Sequence, residues 1–174
     1  MLKKIMFVTG CVAWSVVAKA QIAPDTTTKL PAEPTSPLKT LTYKQYDAYL
    51  KGEDLYAMDL PATLNHYPLP DEVLKHKAAM NLSPVQISKI AVIRDNLHRK
   101  KLEMGGIVIR NEHMLDSLFK MHNIDDGAII FYANRSGLYY GELRNAILQA
   151  CYATERLLSP VQIRLLEASE KHNK

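Results

Sequence analysis

The sequence predicts an all-α fold, an elongated antiparallel hairpin of two long helices with short helices flanking it. Three observations predict it. The hexapeptide Leu82-Ser83-Pro84-Val85-Gln86-Ile87 recurs unchanged as Leu158-Ser159-Pro160-Val161-Gln162-Ile163, 76 residues later. Each copy reads as a helix start: Ser caps the first turn, Pro at the first helical position gives up an N–H that is free anyway, and Gln completes a capping box. Between the copies, apolar residues recur at spacings of three and four, interrupted by one turn-like cluster. There is no convincing strand: Ile107-Val108-Ile109 is β-prone but too isolated to pair.

At the N-terminus, Lys3 and Lys4, an apolar stretch from Ile5 to Ala18 and a small-x-small site at Ala18-Lys19-Ala20 read as a cleavable signal peptide, residues 1–20. The apolar stretch is too short to span a membrane. Val8-Thr9-Gly10-Cys11 resembles a lipid-attachment box, but the apolar run continues past it, so cleavage without lipidation is the expected route. Export from the cytoplasm is therefore expected. The leader holds three of the 22 basic residues and none of the 18 acidic ones, which leaves 19 against 18 in the exported chain. The basic pI is thus largely the leader's, and nucleic acid is not an expected partner. Removing Cys11 with the leader leaves Cys151 alone, with no partner for an internal disulfide.

Residues 21–41 hold Pro24, Pro31, Pro34 and Pro37 among Thr, Ser, Lys and Asp and read as a disordered tether. The helical domain is then expected over 42–174. A short helix over Tyr43 to Leu50 packs its tyrosines, and Gly52 to Pro68 is irregular. A first helix runs from Pro70 to Met80, with Asp71 and Glu72 near its positive end. The second runs from Pro84 towards His122 with Ile87, Ile90, Leu97, Met104, Val108, Leu115 and Leu118 inward. Gly105-Gly106 is expected to bend or loosen it. Asn123 ends this helix and Asp125 caps the next, which reaches about Arg156. Its inner stripe is Ile129, Ala133, Gly137, Tyr140, Leu143, Ile147, Cys151 and Thr154. Leu158 to Ile163 opens a short fourth helix. Two antiparallel helices of this length bring the two hexapeptides together, and an open hairpin of this kind favours a homodimer.

The doubled Leu-Ser-x-x-Gln motif behind a signal peptide resembles the periplasmic Spy/CpxP-like family. Gly52-Glu53-Asp54-Leu55, Leu60-Pro61-Ala62, Tyr67-Pro68 and Val73-Leu74 resemble a branch of it described as periplasmic heavy-metal sensors or resistance proteins. The resemblance covers residues 52–168. It implies one of two functions. The first is an ATP-independent chaperone or envelope stress protein that binds unfolded or misfolded envelope proteins on a helical face, with no cofactor. The second is a metal sensor or resistance protein signalling to a membrane-bound regulator. Where sequences of that branch carry two histidines four apart, this chain has Ile147 and Cys151, which weakens the metal reading.

The residues themselves show no nucleophile elbow, phosphate-binding loop, dinucleotide fingerprint or zinc-protease helix, so an enzyme is not expected. His66, His76, His98, His113, His122 and His172 are scattered, with no pair at i, i+4. For zinc or copper, Cys151 and His113 are the weak candidates, His113 because Glu112 and Asp116 lie beside it. The methionines Met58, Met80, Met104, Met114 and Met121 suit soft copper, but more often such residues fill gaps in a core. Lys89, Arg94, His98, Arg99, Lys100 and Lys101 make the second helix basic, which reads first as a solvated face; the functional reading is a cationic rim to an apolar client surface, and Tyr139 and Tyr140 belong either to that surface or to the core or a dimer interface. Leu82, Ser83, Pro84, Gln86, Leu158, Ser159, Pro160 and Gln162 are expected to serve structure rather than chemistry.

Overall fold

The computed structural model of the chain describes residues 34–171. The leader and residues 21–33 of the tether lie outside them. Among the described residues the fold is all-helical, without a strand. The helices are α1 (Tyr43–Lys51), α2 (Leu60–Thr63), α3 (Pro70–Lys75), α4 (Pro84–Lys120), α5 (Asp126–Glu155) and α6 (Pro160–Lys171). At 37 and 30 residues, α4 and α5 are about 55 and 45 Å long. They lie antiparallel: Asn111 near the end of α4 bonds to Tyr132 and Ser136 near the start of α5, while Gln86 at the start of α4 reaches Gln162 beyond the end of α5.

Two cores hold the hairpin. The larger gathers Leu38, Leu41, Tyr49 and Met58 against Leu97, Met104 and Val108 of α4 and Tyr139, Leu143, Ile147 and Ala150 of α5. The smaller packs Val73, Met80, Ile90 and Leu166, with Leu82 and Leu158 at its margin. Met58, Met80 and Met104 are thus core fillers, while Met114 and Met121 are exposed.

Five expectations need correction. The tether's last residues are packed, because Leu38 and Leu41 enter the main core, so ordered chain begins before residue 42. The helix from Pro70 stops at Lys75, and the chain turns through Asn81 in the left-handed region, φ 50°. Pro84 keeps Ser83 extended, so the chain must turn before α4 can start. Gly105-Gly106 does not interrupt α4. A Cβ on Gly105 would stand 2.3 Å from the Tyr49 carbonyl oxygen, so this glycine lets α1 cross α4 backbone to backbone. His122, φ 52°, takes the left-handed position expected of Asn123. Asn123 N–H then bonds to the Leu118 carbonyl and His122 N–H to the Phe119 carbonyl, closing α4 in a Schellman motif. Last, the α5 stripe holds from Tyr140 through Leu143, Ile147, Cys151 and Thr154, but Ile129, Ala133 and Gly137 are exposed.

Candidate functional site

The two hexapeptides meet. Ser83 Oγ accepts from Gln86 N–H at 3.2 Å while Gln86 Oε1 accepts from Ser83 N–H at 2.9 Å. Ser159 and Gln162 repeat both bonds at the same distances. Across the pair, Gln86 Nε2 donates to Gln162 Oε1 at 3.0 Å and Gln162 Nε2 to Gln86 Oε1 at 3.2 Å. The second hydrogen of Gln86 Nε2 goes to the Leu157 carbonyl at 2.7 Å, just beyond α5. Each glutamine thus caps its own helix and locks to the other. Pro84 and Pro160 stand at the first helical positions, and Leu82 and Leu158 pack into the core beneath.

A third copy of the pattern escaped the sequence reading. Leu41-Thr42-Tyr43-Lys44-Gln45 is also Leu-Ser/Thr-x-x-Gln, and Thr42 and Gln45 form a capping box at the start of α1. Its spacing from the others is irregular and its last two variable residues differ, so identity alone did not reveal it. Its glutamine has no glutamine partner; Gln45 Nε2 donates to Tyr56 Oη at 3.1 Å. Tyr56 joins Tyr49 and Tyr140 in a cluster of ring edges, in which the Tyr49 and Tyr140 hydroxyls bond to each other. Burial holds the Tyr49 hydroxyl far above the ordinary tyrosine range, and the bond to Tyr140 lowers that of Tyr56. This cluster ties α1 to α5. It also decides between the two readings of Tyr139 and Tyr140 in favour of the core: Tyr139 is buried and Tyr140 half-buried, so neither offers an exposed client surface.

The structure does not bring the metal candidates together. Cys151 is wholly buried near the motif end of the hairpin, whereas His113 is exposed towards the opposite end. Among the described residues, no three of His, Cys, Asp and Glu converge as a ligand set. Burial pushes the Cys151 thiol up to about 11. At neutral pH its thiolate fraction is on the order of one in ten thousand. In the chain lacking residues 1–20, Ellman's reagent should therefore leave Cys151 unmodified in the native state and titrate one thiol after denaturation. Rapid native labelling would place the thiol at the surface instead.

Away from the motifs the hairpin is unfinished. From Glu112 to Leu138, across the end of α4, the turn and the start of α5, no residue is fully buried. Phe119, Met121, Ile130, Phe131 and Leu138 are each at least half exposed. The expected basic stretch lies farther back along α4, where Arg94 pairs with Asp95 and Lys100 with Glu103. Cations nearer the apolar end are Arg110, Lys120 and Arg135.

Two of the cavities among the described residues bear on this layout. One of about 390 Å³ lies between the 63–69 segment, α3 and α6, with Leu64, Leu69 and Leu166 inside and Glu72, Glu167 and Glu170 around it. Glu167 is already bonded to His66. The other, about 420 Å³, is a groove between α4 and α5 beside the apolar end. Asn111 lines it, donating through Nδ2 to the Tyr132 carbonyl at 3.1 Å and Ser136 Oγ at 2.8 Å. Its Oδ1 is buried with no partner, which costs about 1–3 kcal/mol. Compared with known proteins, the chain matches no family model, no curated protein and no solved structure.

Proposed function

We propose that the protein is an ATP-independent, chaperone-like envelope protein that holds partly unfolded polypeptides on the apolar end of its helical hairpin. One observation carries the reading: a stretch of 27 residues, 112–138, in which apolar side chains stay at the surface and none is fully buried. A contiguous exposed apolar surface interleaved with charge marks a binding surface, and weak, non-directional contact suits clients of varied sequence. The paired motifs at the other end make that arrangement affordable, because the hairpin is closed there by caps, the glutamine pair and the smaller core. Signal-peptide features and the resemblance to Spy/CpxP-like proteins support a periplasmic location, and a homodimer is compatible with the surface left open. The metal-responsive alternative lacks a comparable observation among the described residues.

The test is aggregation suppression with a thermally unfolding client in EDTA. The protein should suppress aggregation near stoichiometric ratio. The triple variant Phe119→Ser, Ile130→Ser and Leu138→Ser should bind client at least about tenfold more weakly, a loss of about 1.4 kcal/mol, with its melting temperature nearly unchanged because these side chains are exposed. Suppression that appears only after zinc or copper is added would favour the metal-responsive function.

A further inference from the structure

The groove between α4 and α5 has a chemistry more particular than the apolar surface around it. Arg110 on α4 and Arg135 on α5 stand on its two walls, and no acid lines it. Neither arginine makes an ion pair with a described residue. The Arg135 guanidinium is held over the rings of Phe131 at 4.9 Å and Tyr139 at 5.3 Å, and this cation–π attraction fixes its place while leaving its N–H groups without an anionic partner. Ile107, Met114 and Phe131 supply an apolar wall. Asn111, 5% exposed, adds one acceptor with no donor. The volume falls within the range of small-ligand pockets.

We propose that this groove takes the free carboxyl terminus of a polypeptide ending in an apolar residue. A terminal residue offers the three complementary features at once. Its carboxylate matches two unpaired guanidinium groups, which recognise planar carboxylates well. Its side chain matches the apolar wall. Its backbone N–H is a donor of the kind Asn111 Oδ1 lacks, and the contact requires the buried Asn111 amide to turn against its bonds to Tyr132 and Ser136. A fatty acid supplies the first two features but no donor. A free amino acid adds an ammonium group that both arginines repel. An internal Asp or Glu beside an apolar residue requires room for chain on both sides. The inference rests on the client-binding reading and narrows it: partly unfolded or cleaved chains, whose apolar termini are loose, become preferred clients.

The test is fluorescence anisotropy on the full protein with an amino-terminally labelled octapeptide ending in Leu-Phe. It is compared with the same peptide as a carboxyl-terminal amide, and with an amidated peptide carrying an internal Asp-Phe. The free acid should bind at least about tenfold more tightly than either amide. Arg110→Gln and Arg135→Gln should each bring the ratio of acid to amide affinity close to one, whatever they do to binding of the amide itself, and both arginines are exposed enough for the variants to keep the wild-type circular dichroism. Equal binding of acid and amide, equal binding of the internal Asp-Phe peptide, or no binding of any peptide would overturn the proposal. If aggregation suppression persists in those cases, the client-binding function stands without the carboxylate site; if suppression is also absent, both fail.

Discussion

Gly105→Ala is expected to destabilise the protein by about 3 kcal/mol, the upper part of the range for overpacking a tight site. The added methyl would lie 2.3 Å from the Tyr49 carbonyl oxygen and 2.9 Å from its carbonyl carbon. Both belong to backbone, α4 is continuous on either side, and no flexible side chain can give way. α1 must then lift from α4, taking with it Tyr49, which is buried in the main core and bonded to Tyr140. For a chain of this size the melting temperature should fall by roughly 6–12 °C. The neighbouring position predicts the opposite sign. A Cβ on Gly106 meets only the far end of Arg110, Nη1 at 3.5 Å. Gly106→Ala should therefore stabilise by about 0.5–1 kcal/mol through helix propensity. Thermal unfolding of the two variants decides the matter, and a similar effect at both glycines would refute the close crossing of α1.

The same pair of glycines shows where sequence reading stops. Local rules see two poor helix formers and expect weakness. They cannot see that a distant segment comes to rest on one of them, because that contact depends on where α1 returns. Local chemistry served well where the information is local. Ser83, Pro84 and Gln86, with their copies at 159, 160 and 162, announced two helix starts, and Asp125 announced a third, its carboxylate accepting from Ala128 N–H at 2.7 Å. The antiparallel pairing of α4 and α5 followed from helix lengths and one turn. The apolar period was less informative on α5. Ile129, Ala133 and Gly137 keep the spacing of Leu143 and Ile147 but lie beyond the reach of the flanking segments that complete the core. Periodicity identifies a face; it does not say whether anything in the same chain covers it. The candidate groove was illegible for a similar reason, since Arg110 and Arg135 come together only through the hairpin, and Asn111 became notable only when its oxygen was found buried without a partner.

Gln86→Ala is expected to cost about 2 kcal/mol, more than a single lost cap. The truncation removes the acceptor for Ser83 N–H, strands the Leu157 carbonyl and leaves the Gln162 amide without its mate. Each net hydrogen bond contributes about 1 kcal/mol, and stranding a part-buried group adds to the loss. Gln162→Ala should cost somewhat less, about 1.5 kcal/mol, because Gln162 has no bond equivalent to that with Leu157. The two losses should not add. Once either side chain is gone the amide pair is already broken, so the double variant should fall short of the sum by about 1 kcal/mol. Gln45→Ala supplies the comparison within one molecule: it breaks the same capping box but no glutamine pair, and should cost about 0.5–1 kcal/mol. Denaturant unfolding of the four variants separates these contributions. Strict additivity of the Gln86 and Gln162 losses would mean that the motifs act only as independent helix caps. A coupling near 1 kcal/mol, with client binding retained at temperatures where the variants stay folded, would make the repeated hexapeptide the clasp of the hairpin, at the end opposite the proposed client surface.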